Sequence, residues 1–172
     1  ELQAGIQSIA STKRAFTALK EGGFINSWGR ADYGGKLNFS FDEVSGRIQR
    51  IFSTHSAFAA IDRSGRVFTW GDQDGGGDST EVGQDLSENI QTVASTRSAF
   101  AALNSDGEVV AWGNPNHGGG ISDVRKLNKG TVSHIFANKK AFAALKTDGS
   151  VVAWGDANNG GDTSGVGKQL KD

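Results

Sequence analysis

The chain of 172 residues carries 18 Lys and Arg against 19 Asp and Glu, and it contains no cysteine. This balance gives no basic footprint for nucleic acid, and the lack of thiols excludes disulfides and cysteine-ligated metals. No apolar run is long enough for a membrane span, and no signal segment is recognisable. Abundant glycine with a single proline is typical of many tight turns between short strands.

One repeat dominates the chain. A tryptophan column and a phenylalanine column recur with one constant spacing: Trp28, Trp70, Trp112 and Trp154, and Phe16, Phe58, Phe100 and Phe142. A fixed period of this size, about 42 residues, predicts a solenoid, a propeller or an array whose units stack on one another. Because even the glycine-rich loops keep their length, we expect a closed ring rather than an open stack.

The predicted fold is therefore all-β, a propeller-like domain of four repeats with pseudo-fourfold symmetry. It forms a single repeat domain over residues 1–172, with units at about 6–47, 48–89, 90–131 and 132–172. We number these units one to four. Each is predicted to hold three short strands and a short helical turn.

Unit one departs from the pattern of the other units. It has Glu21-Gly22-Gly23 in place of the Asp-Gly of units three and four, and Phe39 and Phe41 after its glycine pair. Terminal units of repeat proteins often depart from the consensus in this way. We expect the two phenylalanines to cover an end of the domain or to offer an apolar contact to a partner.

Unit three shows the predicted strands most plainly, at residues 90–95, 99–104 and 108–113. A hairpin turn joins the second and third strands at residues 105–107, where Asp-Gly supplies the positive φ that such turns demand. Apolar residues at consecutive strand positions, such as Val109 and Val110, point to opposite faces of the sheet and indicate that both faces are covered. The small alanines beside Phe100 allow a neighbouring sheet to approach closely.

A short helical turn is predicted after each glycine-rich loop. In unit two, Val82 and Leu86 are four residues apart, and Ser79 stands where it can cap the turn. Val166 and Leu170 repeat this spacing in unit four. The alternative is an irregular outer strand.

The loops that follow Trp-Gly in units two and four are candidate calcium sites. Ca²⁺ takes about 6–8 oxygen ligands, and these loops place carboxylate and amide oxygens at alternating positions. The candidate ligands are Asp72, Asp74, Asp78, Asp156, Asn158 and Asp162. The alternative is that these side chains form Asx turns and helix caps. We predict no other cofactor.

The turns before the phenylalanine strands are rich in cations. They read Lys13-Arg14, His55-Ser56, Arg97-Ser98 and Lys139-Lys140. In a ring these residues share one rim and can meet anionic partners or polar sugars; the alternative is a solvated rim with ordinary salt partners. The candidate interaction residues are Phe39, Phe41, His55, Arg97, Lys139 and Lys140.

The tryptophan column has two interpretations. It packs between adjacent units, or it forms a ring of stacking platforms for sugars or bases, which requires exposure. The sequence contains no phosphate-binding loop, no histidine cluster and no carboxylate pair singled out by spacing. We therefore predict no catalytic residues and no enzymatic activity.

The Ala-Phe-Ala-Ala-Leu, Asp-Gly-x-Val and Trp-Gly columns resemble the regulator-of-chromosome-condensation repeat, in a variant with a shorter period. The resemblance spans residues 6–172 and implies a β-propeller. That family usually has seven blades, so four copies imply a four-bladed propeller or half of a dimeric one. The loop wedge and the basic tail that give the founding member its nucleotide-exchange and chromatin-binding activities have no equivalent here.

What the resemblance implies is a rigid scaffold. We expect a non-enzymatic binding module for a protein or glycan partner, without nucleic acid, that is free to oligomerise. The alternative is a structural or accessory subunit of a surface appendage or multiprotein complex. The sequence does not identify the compartment. The resemblance favours a secreted or extracellular location, with an organelle reached after removal of a leader as the alternative.

Overall fold

The computed structural model describes residues 5–40, 48–120 and 131–165. These residues form four three-stranded antiparallel sheets, one in each unit, with the strands in sequence order. The strands are β1 (Ile6–Ser11), β2 (Ala15–Lys20) and β3 (Ile25–Gly29); β4 (Ile48–Ser53), β5 (Ala57–Asp62) and β6 (Val67–Gly71); β7 (Ile90–Ser95), β8 (Ala99–Asn104) and β9 (Val109–Gly113); β10 (Val132–Ala137), β11 (Ala141–Lys146) and β12 (Val151–Gly155).

The register of each sheet sets the two aromatic columns side by side. Phe100 lies opposite Trp112 on neighbouring strands, and the other units repeat this pair. The two rings stack with their centroids 5.3 Å apart in unit three. Such cross-strand pairs stabilise an antiparallel sheet, because their side chains project from the same face. The predicted all-β fold with three strands per unit is confirmed.

The hairpin turns differ in detail from the sequence prediction. Gly107 has φ +78°, as expected, but Asp106 is not among the described residues with positive φ. The turn is instead organised by Asn104, whose side-chain oxygen accepts hydrogen bonds from the backbone N–H groups of Asp106 and Glu108. The backbone bonds from the N–H of Asn104 to Glu108 O and from the N–H of Gly107 to Asn104 O are also present, so the side chain adds to the backbone pairing of the turn.

The helical turn predicted after the glycine-rich loop of unit two is present as one short turn. Thr80–Val82 forms a single 3-10 turn, and the predicted cap Ser79 makes no side-chain capping bond to it. The Ser79 hydroxyl instead lies 3.0 Å from that of Thr69, while Asp78 accepts the backbone N–H of Thr80. Val82 and Leu86 are buried, as their spacing predicts. Val166 and Leu170 lie outside the described residues.

A recurrent short helical turn follows the third strand of every unit. These turns are Ala31–Tyr33, Gln73–Gly77, Pro115–His117 and Ala157–Asn159. Glu21–Gly23 forms one further 3-10 turn in unit one. Each post-strand turn brings a glycine pair back toward the end of its own sheet. In units one to three, this position places the first glycine of the pair against the aromatic pair of the next unit.

The core is divided into three clusters, one between each pair of successive units. We call the face that packs on the preceding unit the front face; it carries the Phe and Trp columns. The back face packs on the following unit. Between units two and three, Ala57, Ala59 and Ile61 of the back face meet Phe100 and Trp112 of the front face. The small alanines let the aromatic rings approach the strand closely.

A hydrogen bond from each buried indole fixes this packing. Trp70 Nε1 donates to Gly34 O of unit one, and Trp112 and Trp154 donate in the same way to Gly76 and Gly118, all at 3.0 Å. These three tryptophans are at most 3% exposed. The packing interpretation of the column is therefore confirmed for units two to four.

The expected closed ring is not what the described residues form. Trp28 is 39% exposed and Phe16 is 46% exposed, whereas their counterparts in the other units are buried. Among the described residues, no backbone hydrogen bond joins unit four to unit one. The described parts of the four units therefore form an open arc. Equal loop lengths reflect equal contacts between neighbours, and such contacts do not by themselves bring the two ends together.

Candidate interaction surface

The turn between the first and second strands of each unit lies against the same turn of the next unit. The backbone N–H of Lys13 donates to His55 O, that of His55 to Arg97 O, and that of Arg97 to Lys139 O, each at 2.9 Å. This ladder runs from unit one to unit four. It places the predicted cationic residues in one row, which we call the basic rim: Lys13, Arg14, His55, Arg97, Lys139 and Lys140.

A polar residue at the start of each turn holds the rim in place. In unit two, Thr54 accepts the N–H of Ala57 and donates to Gly75 O, which ties the turn to the loop after the third strand. Thr12 and Thr96 make the same pair of contacts, and Asn138 makes equivalent ones. Sequence reasoning missed this column, although it recurs with the same period as the tryptophans.

The rim has an electrostatic effect on its one histidine. Partial burial lowers the pKa of His55 below its usual 6.5, and the positive charges of Arg97, Lys13 and Arg14 lower it further. Burial and like charge both disfavour the imidazolium. His55 is therefore neutral at pH 7, and an anion on the rim would raise its pKa again.

Two rim cations have contacts of their own. Arg14 lies over the ring of Tyr33 at 5.3 Å, and Arg30 lies at a similar distance from the same ring. Lys140 Nζ is 3.3 Å from Asp156, an exposed pair of the kind that contributes little to stability. Lys13, Arg97 and Lys139 are exposed. The structure thus brings four of the predicted interaction residues together: His55, Arg97, Lys139 and Lys140.

Phe39, one of the two predicted phenylalanines, does not join that surface. Phe39 is half-buried between units one and two, with its ring centroid 5.5 Å from that of Phe68 and 5.6 Å from that of Trp70. It fills the core rather than an exposed end, because its ring covers Phe68 and Trp70 of unit two. Phe41 lies outside the described residues.

The candidate calcium ligands engage their own loops. Asp72 accepts the backbone N–H of Gly75, Asp156 that of Asn158, and Asp162 that of Ser164. Hydrogen bonds from Thr80 lower the pKa of Asp78, and those from Ser164 lower the pKa of Asp162. Such contacts are those of Asx turns.

Asp74 and Asp78 also line a groove of about 550 Å³ between units two and three, together with Glu81. No group of three or more His, Asp or Glu within the described ranges is arranged to hold a metal ion. A calcium site that includes amide and backbone oxygens stays a prediction.

The described part of the chain also contains no helix long and apolar enough to cross a membrane.

The fold defines the class: the units are β-propeller blades, arranged as a partial propeller that is similar to part of the propeller of yeast RCC1 (Prp20) and of other solved structures. No family model and no curated protein matches the chain. Several solved structures match the chain.

Human WBSCR16 is 19% identical with a TM-score of 0.57, over 90% of this chain and 49% of that one. Prp20p from Saccharomyces cerevisiae, described with its binding to Gsp1p and histones, is 20% identical with a TM-score of 0.58, over 87% of this chain and 43% of that one. The ectodomain of the Arabidopsis thaliana receptor kinase ACR4 is 16% identical with a TM-score of 0.55, over 87% and 51%. The chain thus spans about half the length of these structures. At such identities the likeness concerns the fold.

Proposed function

We propose that this chain is a non-enzymatic interaction module that binds an acidic protein segment along its basic rim. The backbone ladder through Lys13, His55, Arg97 and Lys139 carries the proposal, because it aligns the cationic side chains of units one, three and four, with the neutral His55 of unit two between them, on one rigid edge. A protein partner agrees with Prp20p, which binds Gsp1p and histones. A glycan partner and a role as a structural subunit are the alternatives.

The physical basis of recognition is a row of weak contacts that add. Each exposed cation contributes about 0.2–1 kcal/mol to an ion pair. Because the ladder fixes the row before binding, the chain loses little conformational freedom when a partner binds. An extended acidic segment can contact several units at once, so its affinity exceeds that of any single pair. Charge complementarity also accelerates association, and this effect weakens as salt rises.

The test is fluorescence anisotropy with a labelled oligoglutamate peptide at low and at physiological salt. Arg97→Gln removes one central charge of the rim without changing the ladder, which uses backbone atoms. We expect it to weaken binding by about 2- to 5-fold, the equivalent of one exposed ion pair. The matched control is Arg63→Gln. Arg63 is an exposed cation on the hairpin turn at the opposite end of the unit-two sheet, and its loss should leave the affinity unchanged.

Three results would contradict the proposal. The peptide fails to bind at low salt, or Arg63→Gln weakens binding as much as Arg97→Gln, or a single-stranded oligonucleotide binds more tightly with the same dependence on Arg97. Binding of a neutral oligosaccharide that is insensitive to salt and to Arg97→Gln would favour the glycan alternative.

A further inference from the structure

The two ends of the arc are unpaired halves of an interface that the chain already makes three times. Five large apolar side chains in the described ranges are exposed, and four of them lie on the end faces. Ile9, Phe16 and Trp28 lie on the front face of unit one. Phe136 lies on the back face of unit four, in the column of Phe52, which packs between units two and three.

The residues of these end faces match those of an internal interface. On the back face of unit four stand Ala141, Ala143, Leu145, Val151 and Ala153. They repeat without change the residues by which unit three packs on unit four: Ala99, Ala101, Leu103, Val109 and Ala111.

The front face of unit one likewise repeats the front face of unit four. Ile9, Phe16, Ala18 and Trp28 correspond to Ile135, Phe142, Ala144 and Trp154. Asn26 in place of Val152 is one departure, and it lies beside the aromatic pair on an exposed position of β3.

At the two ends of the arc, the polar groups that form the hydrogen bonds of this interface lack these partners among the described residues. Each internal interface has an indole that donates to a glycine carbonyl and one rung of the backbone ladder. Among the described residues, Trp28 Nε1 has no such acceptor and Gly160 O no such donor. A Cβ at Gly34, Gly76 or Gly118 would lie 2.5–2.6 Å from a phenylalanine ring, whereas a Cβ at Gly160 would meet only Asn138, at 3.8 Å. The space that an aromatic ring fills elsewhere is open at Gly160.

We propose that two copies of this chain associate head to tail, with the back face of unit four on the front face of unit one of the second copy, and close into a ring of eight units. Trp28 of each copy then donates to Gly160 O of the other, and Phe16 packs against the same glycine. The occupant is a second copy because its end face carries the residues that already cover this interface inside the chain. An outer face of a repeat array that stays in water is normally polar, whereas these two end faces expose large apolar side chains. The observations behind this inference are separate from those behind the acidic partner proposed above.

The experiment is sedimentation velocity with light scattering on the whole chain over a range of concentrations. We expect a species of twice 18.0 kDa that does not grow further as concentration rises. A heterologous interface that fails to close would instead build open, growing arrays. A monomer at all concentrations, or a mass that keeps rising, overturns the proposal.

Variants at each end test the head-to-tail geometry. Trp28→Ser removes the central aromatic of the front face, and Gly160→Asn places a side chain where the ring of Phe16 would lie. Asn tolerates the left-handed backbone of Gly160, which has φ +93°. Loss of a central aromatic weakens an interface by about 30-fold, and because the closed dimer contains the interface twice, we expect about 1000-fold overall.

The control for surface hydrophobicity is Phe24→Ser. Phe24 is as exposed as Phe16, at 46%. Its counterparts Arg66 and Glu108 are exposed even though units two and three have a neighbour on each side. This position therefore lies outside the interface between units. Its loss should leave the dimer intact. Circular dichroism and thermal unfolding confirm that each variant is folded at monomeric concentration.

A mixture of Trp28→Ser and Gly160→Asn chains separates head-to-tail from head-to-head association. Each variant retains one unaltered end, so the mixture should form a heterodimer through one intact interface, which neither variant forms alone. If two front faces instead packed on each other, Gly160→Asn would still dimerise by itself. That result, or a dimer that both end variants leave unchanged, overturns the proposal.

Discussion

The indole hydrogen bond between units offers a direct test of how the arc is held together. In Trp112→Phe, the ring still stacks on Phe100, but Gly76 O loses its donor at a site that is 3% exposed. A buried polar group left unpaired costs about 1–3 kcal/mol. The missing ring atoms leave a small cavity that adds about 1 kcal/mol. We therefore expect the free energy of unfolding to fall by about 2–4 kcal/mol.

The matched control is Trp28→Phe, which makes the same chemical change on the front face of unit one. Trp28 is 39% exposed and donates to no described acceptor, so its loss should cost less than about 0.5 kcal/mol. Urea unfolding followed by circular dichroism, at a concentration low enough to keep the chain monomeric, measures both values. Equal destabilisation by the two substitutions, or no measurable loss of stability in Trp112→Phe, would refute the reasoning.

Two further predictions concern the loop glycines and the rim. Gly118→Ala combines a strained φ of +92° with a Cβ 2.6 Å from the ring of Phe142, so it should lower the free energy of unfolding by about 2–4 kcal/mol. Gly160→Ala has nearly the same φ, but its Cβ would enter open space, so it should lower that free energy by only about 1 kcal/mol. Equal melting temperatures of the two variants would contradict this prediction. Because the pKa of His55 is lowered when the chain is folded, the unfolded chain binds more protons just below pH 6.5, and stability should fall as pH drops through that window. His55→Gln should flatten this dependence.

The strands and their contacts could be read from the sequence because the repeat is strict. Residues 90–95 and 99–104 are strands as predicted, and Val82 and Leu86 are buried as their spacing indicates. The identities of Phe100 and Trp112, repeated in every unit, also predicted packing between units. These features depend on local turn chemistry and on contacts between neighbours, which the same residues repeat in each copy.

Whether the four units close into a ring could not be predicted from the repeat. Trp28 and Trp154 are the same residue in the same motif, yet one is 39% exposed and the other 3%. The difference arises from what lies beyond the end of the arc, which depends on the rotation between successive sheets. That rotation depends on how closely Ala57 and Ala59 admit the rings of the next unit, and no single residue encodes it. The position of Phe39 was predicted wrongly for a related reason. Its partners Phe68 and Trp70 belong to the next unit, so its burial depends on how the two units pack.

The two proposals are linked through the backbone ladder. Its three rungs leave the N–H of Lys139 and the carbonyl of Lys13 without partners at the two ends of the described rim. Head-to-tail closure would pair these groups between copies and make the rim continuous over eight turns. An acidic segment that bridges several turns would then bind the closed dimer more tightly than the open arc, since more sites lie within its reach. Peptide affinity should therefore rise with chain concentration in the wild type and remain constant in Trp28→Ser, although both chains carry the same rim.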